Sequence, residues 1–411
     1  MIDLALLRED PERISNQIYK KDPAFDVPSL IALDSSVRSL RLRVESLRQK
    51  KNELADSAKG GITSELREQS MAVGKELKEA ESALYDAEVD FKALYLRCPN
   101  IPNDCLPEGN KEANAVVARH GQPPSFSFSM KNHVELGQLN KWFDFSAAAT
   151  MTGSNFVLYR GQAVALLHSL ILFMLQHNRE FGYELIFPPF LVNEKSLENA
   201  SNFPKFREEV YSVPGDNLYL IPTAEVNLAN LYRDTIFSAS DLPVRLTAAT
   251  SCFRREAGGY GAAERGLIRV HQFEKVELFT YCEPDSSAQE LEKMRSCAES
   301  LLQKLGLHYQ VTLLAAQDCS FPSAQTYDLE VWLPSQGIYK EVSSCSNCTD
   351  FQARRASVRY RTDPNSKPRL VHTLNGSSLA LPRLIAALME TYQTEDGSIS
   401  MPPVLKGYGL L

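Results

Sequence analysis

The 411-residue chain lacks several features that would assign it to a specialised class of protein. Eight cysteines are too few for a disulfide framework and are typical of a reduced, cytoplasmic protein. The longest nearly apolar run, 163–175, is interrupted by His168 and is shorter than the roughly 20 residues that cross a bilayer. The first residues lack the basic and apolar regions of a secretion signal. We therefore expect a cytoplasmic protein that does not enter a membrane.

An excess of basic residues is also missing. Forty-four Lys and Arg against 51 Asp and Glu give a net charge of -7, so a nucleic-acid partner would have to be held by a local patch. The apolar content of 44% and the charged content of 23% are ordinary for a folded protein. Single cores stop growing near about 250 to 300 residues, so the length predicts at least two structural parts.

The N-terminal region carries a heptad pattern. Apolar residues recur at alternating spacings of three and four from Leu30 to Leu54, and again from Leu66 to Leu94. Gly60 and Gly61 separate the two runs, which predicts an antiparallel two-helix coiled-coil arm. At 1.5 Å per residue, helices of roughly 30 residues would make this arm about 45 Å long.

The charges of the arm leave two interpretations open. Residues 35–59 contain seven basic and three acidic side chains, and the returning helix is net acidic. The arm could be a dimerisation coiled coil, or its basic outer face could recognise a nucleic-acid backbone by shape. The seven basic residues are Arg38, Arg41, Arg43, Arg48, Lys50, Lys51 and Lys59.

Prolines and Gly109 mark a linker between residues 99 and 124, and we place a domain boundary near residue 110. Residues 1–110 would form the arm and linker, and residues 111–411 a second domain. There the pattern predicts a helix at 162–181, strands at 184–192, 243–256 and 267–282, and a hairpin at 327–344. Long strands joined by loops predict an antiparallel β-sheet flanked by helices, and hence an α+β fold.

Two common nucleotide-binding motifs are absent. The chain has no G-x-x-x-x-G-K-[ST], and its glycine-rich segment 259–264 ends in Glu where a dinucleotide fingerprint needs Gly. Phosphates would therefore be held by side chains. Strand geometry predicts that Arg254 and Glu256 share one face, as do Arg269, His271, Phe273, Lys275 and Glu277. This face is either an exposed, salt-bridged surface or a binding site.

The segments 253–258 (FRREAG) and 265–277 (RGLIRVHQFEKVE) closely resemble the second signature motif of class II aminoacyl-tRNA synthetases, in the form found in the seryl-tRNA synthetase family. Other family motifs follow in order. Pro189 resembles the end of the first motif, 223–225 the serine-binding tripeptide, 340–347 the metal and ATP strand, and 374–380 with Arg383 the third motif. The N-terminal arm is also typical of this family, so the resemblance covers essentially the whole chain.

The resemblance implies an enzyme that activates L-serine with ATP and Mg²⁺ to seryl-adenylate and transfers it to tRNA(Ser), and also to tRNA(Sec). It implies a homodimer whose arm grips the long variable stem of the tRNA. The alternative is a non-translating relative, either a carrier-protein aminoacyl ligase or an inactive binding protein. Such a ligase would lack the arm, and an inactive paralogue would lose Arg254, Glu256 or Glu341, all of which are present.

The same resemblance implies roles at the ATP site. Arg254 would bridge the serine carboxylate and the α-phosphate, and Arg383 would hold the γ-phosphate. Glu256 would accept a hydrogen bond from the adenine amino group, while Phe273 would stack on the base. Glu341 and Ser344 would bind Mg²⁺. The implied catalytic residues are Arg254, Glu341 and Arg383, and the other expected ATP contacts are Arg255, Val342 and Ser343.

At the serine site, the resemblance assigns the substrate hydroxyl to Glu277. Thr223 and Glu225 would take the α-ammonium, with Ala224 between them and Ser377 beside the pocket. A site built to hydrogen-bond a substrate hydroxyl can reject the analogue without it by about 10⁴ to 10⁵.

The sequence departs from the family pattern at a few positions. Ser378 replaces a second Gly of the third motif, Pro382 precedes Arg383, and residues 198–201 occupy an expected loop where many relatives read Gly-Thr-Gly. Cys345 and Cys348 form a C-x-x-C without a second ligand pair, so we expect no zinc.

Overall fold

The computed structural model describes residues 1–256 and 266–408. The chain divides into two compact units, one formed by Asp3–Pro99 and the other by Met1–Ile2 with Asn100–Leu411. The predictions for 257–265, which include part of the second-motif segment, lie outside the described residues. No helix in the described ranges is long and apolar enough to cross a membrane.

The smaller unit is helical. Its helices are α1 (Leu4–Glu9), α2 (Pro11–Lys21), α3 (Val27–Ser57) and α4 (Ser64–Tyr95). The Asp10 side chain accepts from the Arg13 backbone N–H at the start of α2, and Asp26 does the same for Ser29 at the start of α3. These caps satisfy backbone donors that a helix start leaves unpaired.

The predicted antiparallel coiled-coil hairpin is confirmed. Heptad positions of α3 and α4 form its buried apolar seam, comprising Val44, Leu47, Val73, Leu77 and Ala80. Ion pairs cross the seam in antiparallel order, since Arg41 contacts Glu88 and Arg48 contacts Glu81. The hairpin therefore satisfies its own apolar surface.

The strands of the larger unit are β1 (Ala115–His120), β2 (Glu184–Leu185), β3 (Leu191–Asn193), β4 (Ser212–Val213), β5 (Leu218–Leu220), β6 (Ile236–Ser238), β7 (Val244–Phe253), β8 (Gln272–Cys282), β9 (Tyr309–Leu313), β10 (Gln325–Leu333), β11 (Ile338–Asn347), β12 (Arg359–Arg361), β13 (Arg369–Leu370) and β14 (His372–Ala380). Its helices are α5 (His133–Leu139), α6 (Phe145–Thr152), α7 (Gln162–Glu180), α8 (Glu194–Asn199), α9 (Glu225–Leu228), α10 (Ser287–Lys304), α11 (Phe351–Ala356) and α12 (Leu381–Thr391).

Within the described ranges, eight strands form the main sheet in the order β1-β9-β10-β11-β14-β8-β7-β2. Neighbouring strands are antiparallel, except that β2 runs parallel to β7. Leu278 of β8 packs into a core with α7, α10 and α12. Its neighbour Phe279 packs into a second core with α8, α9 and α11. Since successive strand residues point to opposite faces, helices cover both faces of the sheet, and the predicted α+β fold is confirmed.

Three predicted strands are shorter than expected. The segment 184–192 is two separate short strands, β2 and β3, on either side of Pro188 and Pro189, and proline cannot donate to a strand ladder. The strand predicted at 243–256 ends at Phe253, and the strand predicted at 267–282 begins only at Gln272. Arg254, Glu256, Arg269 and His271 therefore lie beyond the strand ends, so the strand faces predicted for them are wrong.

Candidate active site

A polar cleft opens where β7, β8, β11 and β14 meet the start of α12. Its lining includes many of the residues singled out in the sequence: the charged Arg254, Glu256, Arg269, Lys275, Glu341 and Arg383, and the uncharged Phe273 and Ser377. A second polar cavity shares Ile268, Glu341 and Arg383 with the cleft and extends to Asp328 and Ser344. Because the two cavities share these lining residues, we describe them together as the candidate site.

Arg254 follows the last residue of β7. Its backbone N–H donates to the His271 carbonyl (2.9 Å), and its Nε donates to the Pro222 carbonyl (3.2 Å). The guanidinium carbon lies 5.2 Å from the centre of the Phe273 ring. The side chain is thus held over an aromatic face, with its remaining donors available to an anion.

Glu256 and Arg269 form an ion pair across the cleft. Arg269 Nε lies 2.5 Å from Glu256 Oε2, and both side chains are largely buried. Glu256 has a φ of +46°, a conformation that non-glycine residues rarely adopt. The ion pair holds the carboxylate in the cleft although its backbone has left the strand.

Arg383 joins three segments of the site. Its Nε donates to the Ile268 carbonyl (3.2 Å), and its Nη1 donates to the Glu341 carbonyl (2.9 Å). The same Nη1 lies 3.4 Å from Glu341 Oε2. The guanidinium is a third exposed, and its remaining donors are open to a ligand.

Thr223, Lys275 and Glu277 form a buried polar network. Thr223 Oγ1 donates to Glu277 Oε2 (2.7 Å) and accepts from Lys275 Nζ (2.9 Å). Lys275 Nζ also lies 2.5 Å from Glu277 Oε2. Ser377 of β14 is the cross-strand partner of Glu277, which places it beside this network.

Glu225 adds a second carboxylate at the start of α9. The Gln352 side-chain amide donates to Glu225 Oε1 (2.6 Å). Burial and the nearby Glu277 raise the pKa of Glu225 to about 7, against the opposing effects of Gln352, Lys275 and Arg254. The site therefore has a carboxylate that titrates near neutral pH.

The side chains of the remaining predicted residues are not among those that line the cleft. Arg255 is exposed, and its backbone N–H donates to the Glu209 carbonyl (2.9 Å). The side chain of Val342 lies in the apolar core, and Ser343 is buried with its hydroxyl on the Ser377 carbonyl (2.5 Å). Ala224 is buried at the start of α9.

The departures from the family pattern fit locally. The buried Ser378 hydroxyl donates to Asn178 Oδ1 (3.0 Å). Pro382 lies in the first turn of α12, where a missing N–H costs nothing. The loop expected at 198–201 is wrong in part, because Glu198 and Asn199 end α8. Asn199 is buried there and donates to Asn230 Oδ1 (2.8 Å).

Sequence reasoning missed two residues of the site: Gln352, which contacts Glu225, and Asp328, which lies opposite Ser344 in the β10–β11 register. It also missed the pairing of Arg269 with Glu256. Arg269 was assigned to a strand face, but its partner was not foreseen. The alternation of β10 placed Asp328 on one face of the hairpin, yet nothing in the sequence indicated that this face lines a cavity.

The paired strands β7 and β8, the neighbouring strand β14 and the helix α12, which carries Arg383, define the catalytic core of a class II aminoacyl-tRNA synthetase. Residues 206–392 match the family model described as the tRNA synthetase class II core domain (G, H, P, S and T). Residues 1–102 match the seryl-tRNA synthetase N-terminal domain.

Similar proteins cover the whole chain. A serine–tRNA ligase of Acidithiobacillus ferrooxidans is 45% identical over 99% of this chain and 98% of its own. One of Carboxydothermus hydrogenoformans is 42% identical with the same coverage. The crystal structure of Pyrococcus horikoshii seryl-tRNA synthetase complexed with ATP matches with a TM-score of 0.93 and 33% identity, over 99% of this chain and 98% of that chain. The chain belongs to the seryl-tRNA synthetase family.

The edge of the site depends on a close approach of Gly266 to α5. His133 Nδ1 lies 2.8 Å from Glu390 Oε1, and its Nε2 accepts from the Leu267 backbone N–H (3.3 Å). Gly266 has a φ of +71°, and a Cβ there would lie 2.5 Å from both His133 Nε2 and Val134 Cγ2. The glycine is therefore required both by its backbone conformation and by its surroundings.

We predict that Gly266→Ala destabilises the protein and displaces Leu267 from the cleft. Gly337→Ala is the matched control, because Gly337 has a φ of +63° but a Cβ there would meet nothing within 4 Å. Left-handed strain alone costs about 1 kcal/mol, and overpacking adds about 1–3 kcal/mol. Thermal unfolding should show a clearly larger loss for Gly266→Ala, and equal losses would contradict the role of the His133 contact.

Proposed function

We propose that the protein is a serine–tRNA ligase that forms seryl-adenylate from L-serine and ATP and transfers the seryl group to tRNA(Ser). The observation that carries this proposal is the cleft that Arg254 and Arg383 line together with Lys275 and Ser377, which are the ion-pair partner and the cross-strand partner of the buried Glu277. Relatives along the full chain are serine–tRNA ligases. The chain has the arm that a carrier-protein aminoacyl ligase would lack. It also has Arg254, Glu256 and Glu341, at least one of which an inactive paralogue would lose.

Adenylate formation brings the serine carboxylate against the α-phosphate, and these two anions repel each other. Arg254 is held on one side by the Pro222 carbonyl, next to Thr223, and on the other by the Phe273 ring, so its guanidinium can bind both anions and the developing charge on phosphorus. Phe273 stacks on the adenine. Glu256, held by Arg269 through Oε2, accepts from the adenine amino group with its other oxygen. Arg383 binds the γ-phosphate. The chain segments that contain Arg255, Val342 and Ser343 form the rest of the ATP site.

Glu341 and Ser344 would hold Mg²⁺, which neutralises the pyrophosphate when bound. The donor set fits a divalent cation, because Asp328 Oδ1 is buried without a hydrogen-bond partner in the described part of the chain. Burial and the nearby Glu341 also raise the pKa of Asp328 well above its usual range, as expected for carboxyl groups that share a buried site. Among the described residues no group of three or more His, Cys, Asp or Glu could hold a metal ion alone, and the phosphate oxygens of ATP would supply further ligands.

Serine would bind through Glu277, Glu225 and the neighbouring Thr223, Ala224 and Ser377. Glu277 accepts from the substrate hydroxyl, and the carboxylates attract the α-ammonium. Alanine would leave the buried Glu277 without its donor, which is how a polar site rejects the analogue lacking a hydroxyl.

The function predicts serine-dependent ATP–pyrophosphate exchange. Among the twenty amino acids serine should be preferred, and Glu277→Ala should lower kcat/KM for serine about a hundredfold through loss of a charge-assisted hydrogen bond. Asp285→Ala, an exposed carboxylate just beyond β8, is the control and should leave exchange unchanged. Preference for another amino acid, or a normal serine KM in Glu277→Ala, would refute the assignment.

The arm provides the tRNA contact. Four of the seven basic residues in 35–59 are ion-paired: Arg38 with Asp34, Arg41 with Glu88, Arg48 with Glu81 and Lys59 with Asp56. Arg43, Lys50 and Lys51 are exposed and make no ion pair within the described residues. Arg43 and Lys50 are seven residues apart and share one helix face, so they form a stripe available to RNA phosphates.

We predict that Arg43→Ala/Lys50→Ala raises the KM for tRNA(Ser) about tenfold and lowers the salt slope of binding by about 2, because two phosphate contacts are lost. Serine-dependent exchange should not change. Arg41→Ala/Arg48→Ala is the matched control, since these side chains already neutralise Glu88 and Glu81. Equal effects of the two double variants on aminoacylation would contradict the assigned stripe.

The domain roles, the location, a second tRNA substrate and the oligomeric state are further parts of the proposal. We propose that residues 1–110 act as the tRNA-binding arm and linker and 111–411 as the catalytic domain, in a cytoplasmic enzyme that also serylates tRNA(Sec) where the cell has it. We propose a homodimer formed through α7, β2 and the segment after β2, where Leu172, Leu185 and Phe187 expose apolar side chains.

The dimer is tested by Phe187→Asp, whose side chain is 85% exposed in the single chain. A charge at the centre of an apolar interface should shift the protein to monomer in sedimentation velocity. Ile62→Asp, which alters an exposed side chain of the arm, should leave the dimer intact. A wild-type monomer would refute the proposal.

A further inference from the structure

Lys275 is a buried cation of the site to which the family resemblance gives no role. Its side chain is 9% exposed, and that of Glu277 is 2% exposed. Lys275 Nζ lies 2.5 Å from Glu277 Oε2 and donates to Thr223 Oγ1 (2.9 Å). A lysine is rarely buried to this degree unless it is paired.

The Thr223 hydroxyl has no capacity left for a ligand. It accepts from Lys275 Nζ and from the Glu225 backbone N–H (3.2 Å), and an ammonium and an amide can only donate. Its single hydrogen must therefore go to Glu277 Oε2 (2.7 Å). A hydroxyl offers one donor and two acceptor positions, and all three are occupied.

Glu277 is consequently engaged on one oxygen only. The bonds from Thr223 and Lys275 both fall on Oε2, and Oε1 makes no hydrogen bond within the part of the chain that the structure describes. The carboxylate is fixed in rotation while Oε1 stays open to a ligand. An α-ammonium would meet Glu225 and Glu277, and not the Thr223 hydroxyl.

We propose that Lys275 is a positioning residue for serine: with Thr223 it fixes Glu277 by one oxygen and so presents the other oxygen to the substrate. This inference rests on the proposed function and deepens it, because it changes Thr223 from a direct ligand of the substrate into a support for Glu277.

The charge balance explains why a cation is needed. Two carboxylates, Glu225 and Glu277, interact in a largely buried pocket, where like charges repel each other. Lys275 supplies the positive charge that offsets this repulsion before serine arrives.

The pH dependence of serine activation reports this balance. Glu225 faces Glu277 and Lys275 on β8, Arg254 beyond β7, and the Gln352 amide on α11, and its pKa is raised to about 7 by burial and Glu277. Since the α-ammonium binds the ionised carboxylate, kcat/KM for serine should rise with pH through the region near 7. Loss of the Lys275 charge should move that rise to higher pH, because Lys275 lowers the pKa of Glu225.

The test uses the full-length enzyme and ATP–pyrophosphate exchange with Lys275→Met, which keeps the length of the side chain and removes its charge. We expect a serine KM about 30 to 100 times that of wild type, an ATP KM within about threefold, and a pH profile displaced to higher pH. An unchanged serine KM, or equal increases for serine and ATP, would overturn the inference.

A double-mutant cycle with Glu277→Gln separates positioning from folding. In Lys275→Met/Glu277→Gln both charges are absent, so Lys275→Met should add less than about threefold to the serine KM of Glu277→Gln. A further thirtyfold loss in that background would show that Lys275 acts otherwise and would overturn the inference. Wild-type enzyme without serine-dependent exchange would overturn the proposed function itself, and the inference with it.

Discussion

The pairing of β8 with β7 on one side and with β14 on the other is the constraint on which the site depends. It sets the Cα register Ala248–Glu277 and Glu277–Ser377. Because side chains alternate along a strand, a shift of one residue in either pairing would turn Glu277 toward the opposite face. The apolar neighbours make such a shift costly, since Leu278 and Phe279 fill separate cores on the two faces of the sheet. The specificity of the site is therefore maintained by packing beneath it.

The charges of the cleft are largely paired with one another. Glu256 is paired with Arg269, Glu277 with Lys275, and Glu341 lies near Arg383. Removal of one partner from a buried pair is costly, and replacement of both is often tolerated. These ion pairs therefore fix the positions of the side chains more than they add to the free energy of unfolding. Each ion pair leaves some hydrogen-bond donors or acceptors free. The anionic and cationic groups of the substrates would bind to these donors and acceptors.

Much of the fold could be predicted from sequence because its signals are local and periodic. The heptads on either side of Gly60 and Gly61 predicted α3 and α4, and the alternation around residues 327–333 predicted the β10–β11 hairpin. Strand ends were predicted less well. The backbone leaves β7 at Phe253 although the sequence continues with charged residues that alternation alone would place in the strand.

The residues of the site also divide into those that could be predicted from the sequence and those that could not. The residues of the family motifs, such as Arg254, Glu277 and Arg383, were found from sequence, because their order and spacing are specific. Gln352 could not be found, since it contacts Glu225 from a helix more than a hundred residues away in the chain. Nor could spacing show that the hydrogen-bonding capacity of Thr223 is used up, because that depends on three distances in space.

Arg383 illustrates a consequence for the entropy of binding. A free arginine side chain loses about 2 kcal/mol of conformational entropy when it is immobilised. Here the carbonyl groups of Ile268 and Glu341 already hold the guanidinium in place, and α12 fixes its backbone. Most of that entropic cost is met during folding, so an arriving polyphosphate would meet an arginine that is already oriented.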